Sequence, residues 1–149
     1  MLVNLGTPAD PSPRSVRKYL AEFLSDPRVI EAPRLLWWLV LHGVILRTRP
    51  QRSAHAYQKI WTPEGSPLLV ESRKLTAGLA ERLRKRFGDD VIVDLAMTYG
   101  QPSIPSVLER FRDQNVQRLL VLPLYPQYSS TTTGSIFEFV TRELSQWRW

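Results

Sequence analysis

Apolar and polar positions along the chain alternate between short β-type runs and longer runs at helical spacing. Leu2 to Leu5 is a brief apolar strand that breaks at Gly6-Thr7-Pro8. Ser12 precedes Pro13 as an N-cap would, and Val16, Tyr19, Leu20, Phe23 and Leu24 recur on one helical face until Asp26-Pro27 stops it. The run Leu35–Leu46 (LLWWLVLHGVIL) is the most apolar of the chain and predicts a helix. Its length falls well short of the roughly 20 residues that a spanning helix needs. It reads as plain core, although Trp37 and Trp38 beside Arg34, with Arg47 and Arg49 beyond, also suit contact with a membrane surface. Arg47-Thr48-Arg49-Pro50 predicts a basic turn, and 51–61 a further short helix with Ala54, Tyr57 and Trp61 on one face.

Two prolines and a glycine within Thr62–Pro67 predict a loop. From Leu68 to Phe87 leucines at 75, 79 and 83 predict the longest helix, closed by Gly88. Val91 to Tyr99 is β-branched and apolar, as in a buried strand. Gly100 to Ser103 turns the chain into a helix through Asp113, with Val107, Leu108 and Phe111 inward. Gln117 to Leu124 (QRLLVLPL) predicts a second strand covered on both faces. A polar loop, Tyr125 to Gly134, leads to a last helix from Ser135 to Trp149. The alternation predicts an α/β fold with a mainly parallel sheet. A helix with no strand after it predicts that the sheet is incomplete within these residues.

Composition narrows the classes. There are no cysteines, which excludes a disulfide framework and a thiolate-held zinc or iron–sulfur centre. That absence fits a reducing cytosol, and no signal peptide is visible at the first residues. Net charge is +6, with 16 arginines among 20 basic residues. Nucleic acid is not the expected partner: the densest cluster, Arg82 to Arg86, ends a helix, where cations complement the dipole, and no aromatic residues interleave with it. An anionic small substrate suits the charge better.

Candidate chemistry collects after the strands, where open parallel sheets bind ligands. Gly6-Thr7-Pro8, Tyr99 to Pro102 and Tyr125 to Gly134 offer hydroxyls, amides and aromatic rings. They offer neither a carboxylate pair nor a histidine, so the expected ligand is flat and amphipathic with acidic substituents. Gly6-Thr7-Pro8 is not a dinucleotide fingerprint, and no phosphate-loop lysine motif occurs. His42, inside the apolar run, reads as a partly buried helix histidine, and His55 as solvent-exposed.

Three segments carry a resemblance. Val3-Asn-Leu-Gly-Thr-Pro8, Tyr19-Leu-Ala-Glu-Phe-Leu-Ser-Asp-Pro27 and Leu122-Pro-Leu-Tyr-Pro-Gln-Tyr-Ser129 with Thr132-Thr-Gly134 resemble the N-terminal half of bacterial ferrochelatases, and Gly65-Ser66-Pro67 falls in register. The resemblance implies two similar Rossmann-like α/β domains, each a parallel sheet with helices on both faces. Residues 1–149 would be the incomplete first, porphyrin-binding domain, with the second domain absent. It implies a lyase that inserts Fe2+ into a porphyrin during haem biosynthesis, cytoplasmic with a peripheral membrane contact. Protoporphyrin and coproporphyrin remain alternatives.

Position by position, the resemblance places Tyr57, Ser66 and Tyr125 against the macrocycle or its propionates. Leu5 faces the metal centre, and Arg47 or Arg49 pairs with a propionate. Tyr99 matches a binding-face tyrosine, although Thr98 stands before it where many relatives have arginine. Ser130 replaces an iron–sulfur cysteine of some relatives, which implies a form without that cluster. The family's iron-binding histidine and its glutamate belong to the second domain, so no catalytic or metal residue is expected here, and the isolated chain is expected to be inactive and to self-associate. The alternative is a non-catalytic module that binds a tetrapyrrole or a membrane surface.

Overall fold

The alternating pattern produces three parallel strands in the order β2-β1-β3, where β1 is Leu2–Thr7, β2 is Leu95–Gly100 and β3 is Leu122–Pro123. A computed structural model describes residues 1–147. The helices are α1 (Pro13–Ser25), α2 (Arg34–Val40), α3 (Leu46–Ile60), α4 (Pro67–Phe87), α5 (Ile104–Asp113) and α6 (Ser135–Leu144). Ser12 and Ser103 cap α1 and α5 by accepting from the N–H groups of Ser15 and Ser106, each ahead of a proline in the first turn. Helices cover both faces of the sheet. Leu2, Leu95 and Met97 pack with Leu69 and Leu79 of α4 on one face, while Val3 and Ala96 pack with Val107 and Leu108 of α5 and Ile136 and Val140 of α6 on the other.

Several boundaries differ from the sequence reading, each for a physical reason. The basic turn at Arg47–Pro50 is helix. α2, a π-helical turn over Leu41–Ile45 and α3 follow one another without a break, and Pro50 lies inside α3. Pro50 leaves the Leu46 carbonyl without its helical donor. Burial of Pro50 with Leu46 and Ala54 and contact of α3 with α1 offset that loss.

The apolar run is not plain core. Leu35 is 76% exposed and Trp38 56%, with Leu36, Leu39 and Val44 also exposed; only Leu41, Leu46 and the partly buried Trp37 and Ile45 reach the cluster around Leu24. On α4 the buried residues are Ser72 and Thr76, and Leu75 faces solvent. Steps of four residues drift around a helix, so the inward stripe follows 69, 72, 76, 79 and 83 instead.

β2 begins at Leu95, four residues later than the apolar pattern predicts. The expected strand 117–124 is laddered only at Leu122–Pro123, and Leu120 is 78% exposed. β3 pairs with β1 along one edge and has no strand along its other edge among the described residues, and Leu120 and Leu122 are both exposed, so the run is not covered as the sequence reading expects. The last helix ends at Leu144, and the sequence reading's final two residues lie outside the described ones.

Candidate functional site

Strand order β2-β1-β3 fixes where a ligand would lie. The chain leaves β1 toward one side of the sheet for β2 and returns to the other for β3, so the switch point is the crevice at the carboxyl ends of β1 and β3. Leu5 lies at the end of β1, half-buried, and Tyr125 immediately follows the β3 segment. Gly6 holds a positive φ of 113°, and a Cβ there would stand 1.8 Å from the Tyr99 carbonyl oxygen. Only glycine lets β1 and β2 approach this closely at the crevice floor.

A group of tyrosines converges under the crevice. Tyr19 of α1 lies beside both Tyr57 of α3 and Tyr125, and burial pushes its hydroxyl well above the ordinary tyrosine range, with those neighbours adding to the rise. Burial also raises Tyr57 and Tyr125, the former partly eased by the neighbouring Tyr19 hydroxyl. These phenols therefore stay protonated across the physiological range and can donate hydrogen bonds to an acidic ligand. The buried oxygens of Thr7, Tyr125 and Ser135, all at the carboxyl end of the sheet, have no hydrogen-bond partner within the protein. Tyr57 also packs edge-on against Trp61, with ring centroids 6.2 Å apart.

The other expected site residues divide. Ser66 is buried at the N-cap of α4, with no side-chain cap bond. Arg47 and Arg49 are both exposed on α3, just past the uncovered apolar face of α2, and the ion pairs among the described residues lie elsewhere, on Arg28 and on α4 and α5. Tyr99 is only 2% exposed, and its hydroxyl donates to Asp26 Oδ2 at 2.6 Å. Its ring meets Phe23 and Phe139 edge-on. Its hydroxyl and ring are thus committed to the protein, and burial, reinforced by the bond to Asp26, holds its phenol strongly protonated.

Sequence reasoning missed Asp26, which it took for a helix stop; the carboxylate also accepts from the Arg28 N–H at 2.8 Å. Tyr19 was read only as helix core. An aromatic–polar residue at an inward helical position gives no sign in the sequence of which neighbours it will meet.

His42 sits in the π turn with its ring 5.0 Å from Trp38, and His55 is exposed on α3. Among the described residues no group of three or more His, Cys, Asp or Glu side chains is placed to hold a metal ion. Among them, too, no helix is long and apolar enough to cross a membrane.

Comparison with known proteins accounts for this arrangement. The family model described as Ferrochelatase matches residues 1–149. The chain is 54% identical over 149 residues to a ferrochelatase of Marinobacter nauticus and 56% identical over the same length to one of Thioalkalivibrio sulfidiphilus, covering 40% of each. It is also 54% identical to a protein named Ferrochelatase 2 in Shewanella oneidensis, of which it covers 45%. The chain thus spans less than half the length of the curated relatives it matches. With its whole length matched by one family model and its fold a partial chelatase-type α/β sheet, the chain belongs to the ferrochelatase family.

Proposed function

We propose that this chain is the porphyrin-binding wall of an enzyme that inserts Fe2+ into a porphyrin, a lyase of haem biosynthesis. The observation that carries the reading is the crevice itself. Protonated phenols and unpartnered buried hydroxyls stand at the carboxyl ends of β1 and β3, beside an uncovered apolar helix and two exposed arginines. A tetrapyrrole has matching chemistry, with a flat apolar ring and carboxylates at its rim. Tyr57, Ser66 and Tyr125 would meet the ring or its propionates, Leu5 would face the metal centre, and Tyr99 would support the floor rather than touch the ligand. Arg47 or Arg49 would pair with a propionate, because the guanidinium fork meets a carboxylate bidentately.

Metal insertion requires removal of two pyrrole protons, hence a general base within hydrogen-bond reach. The phenols here are held protonated and cannot serve as that base. The histidine and glutamate that the family reading assigns to a second domain would supply that step. The chain alone is accordingly expected to bind porphyrin without turnover. An Fe2+ insertion assay on this chain and on a version extended to the length of its relatives tests the division. Activity in the longer form only is the expected result; turnover by the short form would refute it.

Two variants locate the propionate contact. Arg47→Ala and Arg49→Ala are each to be titrated with a dicarboxylate porphyrin by Soret absorbance. One of them should weaken binding by about tenfold, the cost of a lost charge-assisted bond, and should leave binding of the corresponding diester unchanged. Equal affinity in both variants and the parent would remove the arginines from the site.

The exposed face of α2 is read as a lip that contacts a membrane surface. Its apolar side chains are followed by Arg47, Arg49 and Arg52, an arrangement that suits an anionic interface. Replacing Leu35, Leu36 and Leu39 together with serine should reduce co-sedimentation with vesicles of mixed neutral and anionic phospholipid severalfold. Undiminished co-sedimentation would place the contact elsewhere.

A further inference from the structure

The crevice exists because two parallel strands stop pairing, and one side chain stands at the point where they stop. Leu122 N–H donates to the Met1 carbonyl at 2.9 Å and Leu124 N–H to the Val3 carbonyl at 2.7 Å. Backbone groups of odd-numbered β1 residues therefore face β3, and the next partner in the ladder would be the N–H of Leu5. That N–H donates to Asn4 Oδ1 instead, at 2.8 Å. The side-chain amide takes the donor that β3 would have used, and the β1–β3 pairing ends at Val3↔Pro123.

The amide is itself held. Asn4 Nδ2 donates to Ser72 Oγ at 3.0 Å, and Ser72 is buried on the inward stripe of α4, where Thr76 Oγ1 bonds its carbonyl at 2.7 Å. On the other side of β1, the Asn4 carbonyl accepts from Thr98 Oγ1 at 3.1 Å. Asn4 thus links α4, β2 and the last residues of β1, with Leu5 next to it. It also explains why polar Ser72, and not a leucine, occupies the stripe of α4 at this height.

We propose that Asn4 is a positioning residue for the porphyrin crevice: its amide ends the β1–β3 ladder, parts the two strands and fixes Leu5 and Tyr125 at the walls of the gap. The proposal rests on the porphyrin reading above for the ligand, but the wedge itself is a property of these strands. An acceptor at position 4 is what the role requires. Asn4→Ala removes acceptor and tether together, Asn4→Asp keeps the acceptor, and Ser72→Ala releases the tether alone.

The test pairs two readouts on these variants, the Soret titration with a dicarboxylate porphyrin and the hydrogen-exchange protection of the Leu5 amide. Asn4→Ala should lose exchange protection at the Leu5 amide and should weaken porphyrin binding at least about tenfold. Asn4→Asp should keep both within about threefold of the parent. If Asn4→Ala fails to fold, Ser72→Ala decides, with an expected affinity loss of about threefold at an unchanged melting temperature. Porphyrin affinity equal to the parent in Asn4→Ala, or in Ser72→Ala where the former does not fold, overturns the proposal, as does an Asn4→Asp variant no better than alanine. Absence of binding by the parent would refute the porphyrin reading instead, and the exchange measurement at Leu5 would still decide whether Asn4 holds that amide.

Discussion

Gly6→Ala is expected to leave the chain largely unfolded. The backbone at Gly6 lies at φ +113°, a conformation that costs an L-residue about 1–3 kcal/mol by itself. Sterics add more, because the new Cβ would sit 1.8 Å from the Tyr99 carbonyl oxygen and 2.8 Å from its carbonyl carbon. Those atoms are backbone of the paired strand and cannot rotate away. Relief requires β1, the central strand, to separate from β2 at the carboxyl end of the sheet, where Gly6 and Thr7 pair with Tyr99 and Gly100. The combined loss should exceed about 4 kcal/mol, a large part of the 5–15 kcal/mol that holds an ordinary domain together. Circular dichroism with a urea titration would show it as a lost or strongly lowered transition. Gly43→Ala is the control: nothing lies within 4 Å of its Cβ, and helical alanine should be neutral or gain about 0.5–1 kcal/mol. A Gly6→Ala protein with the parent's midpoint would contradict the strand-end geometry.

What the sequence made legible follows the reach of local signals. β1, α1 and α5 were readable because each carries its own punctuation: Gly6-Thr7-Pro8 after the strand, and Ser-Pro or Ser-Ile-Pro at the helix starts. The switch-point crevice followed from topology, and topology followed from alternation. Burial was harder. Leu35 to Val44 is more apolar than any core segment, yet apolar spacing states only that a face should be covered, not that anything here covers it. The strand at 117–124 failed for the same reason, since an apolar run does not say which of its residues a partner covers, and Leu120 and Leu122 stay exposed. The first turn of α3 escaped because Pro50 normally breaks helices, and a π turn cannot be inferred from spacing.

At the site, residue types were legible and their commitments were not. Tyr125 and Tyr57 converge with Tyr19 as an aromatic, hydroxyl-bearing crevice requires. Tyr99 has the same chemistry but meets an acceptor, Asp26, 73 residues away in sequence. Asn4 looked like one polar residue in a short strand. Its significance lies in two bonds, one to the next residue and one 68 positions along.

Tyr99 offers the sharper test of that distinction. Tyr99→Phe keeps the ring between Phe23 and Phe139 and removes only the hydroxyl, so Asp26 Oδ2 loses its buried donor. The expected cost is about 1–3 kcal/mol. Tyr99→Ala loses the ring as well and leaves a cavity between α1 and α6, which should bring the loss to about 4–5 kcal/mol. Asp26→Ala should resemble Tyr99→Phe in size, and the pair combined should cost less than the two separately, because either change alone already breaks the bond. Urea midpoints of the four proteins measure this. The porphyrin affinity of folded Tyr99→Phe discriminates between roles. A supporting residue predicts a change within about twofold, whereas a direct ligand contact predicts about tenfold weakening with little change in midpoint. The second outcome would require Tyr99 to leave Asp26 when porphyrin binds. A buried carboxylate would then give up its phenol, and the ligand would have to supply more than that bond is worth.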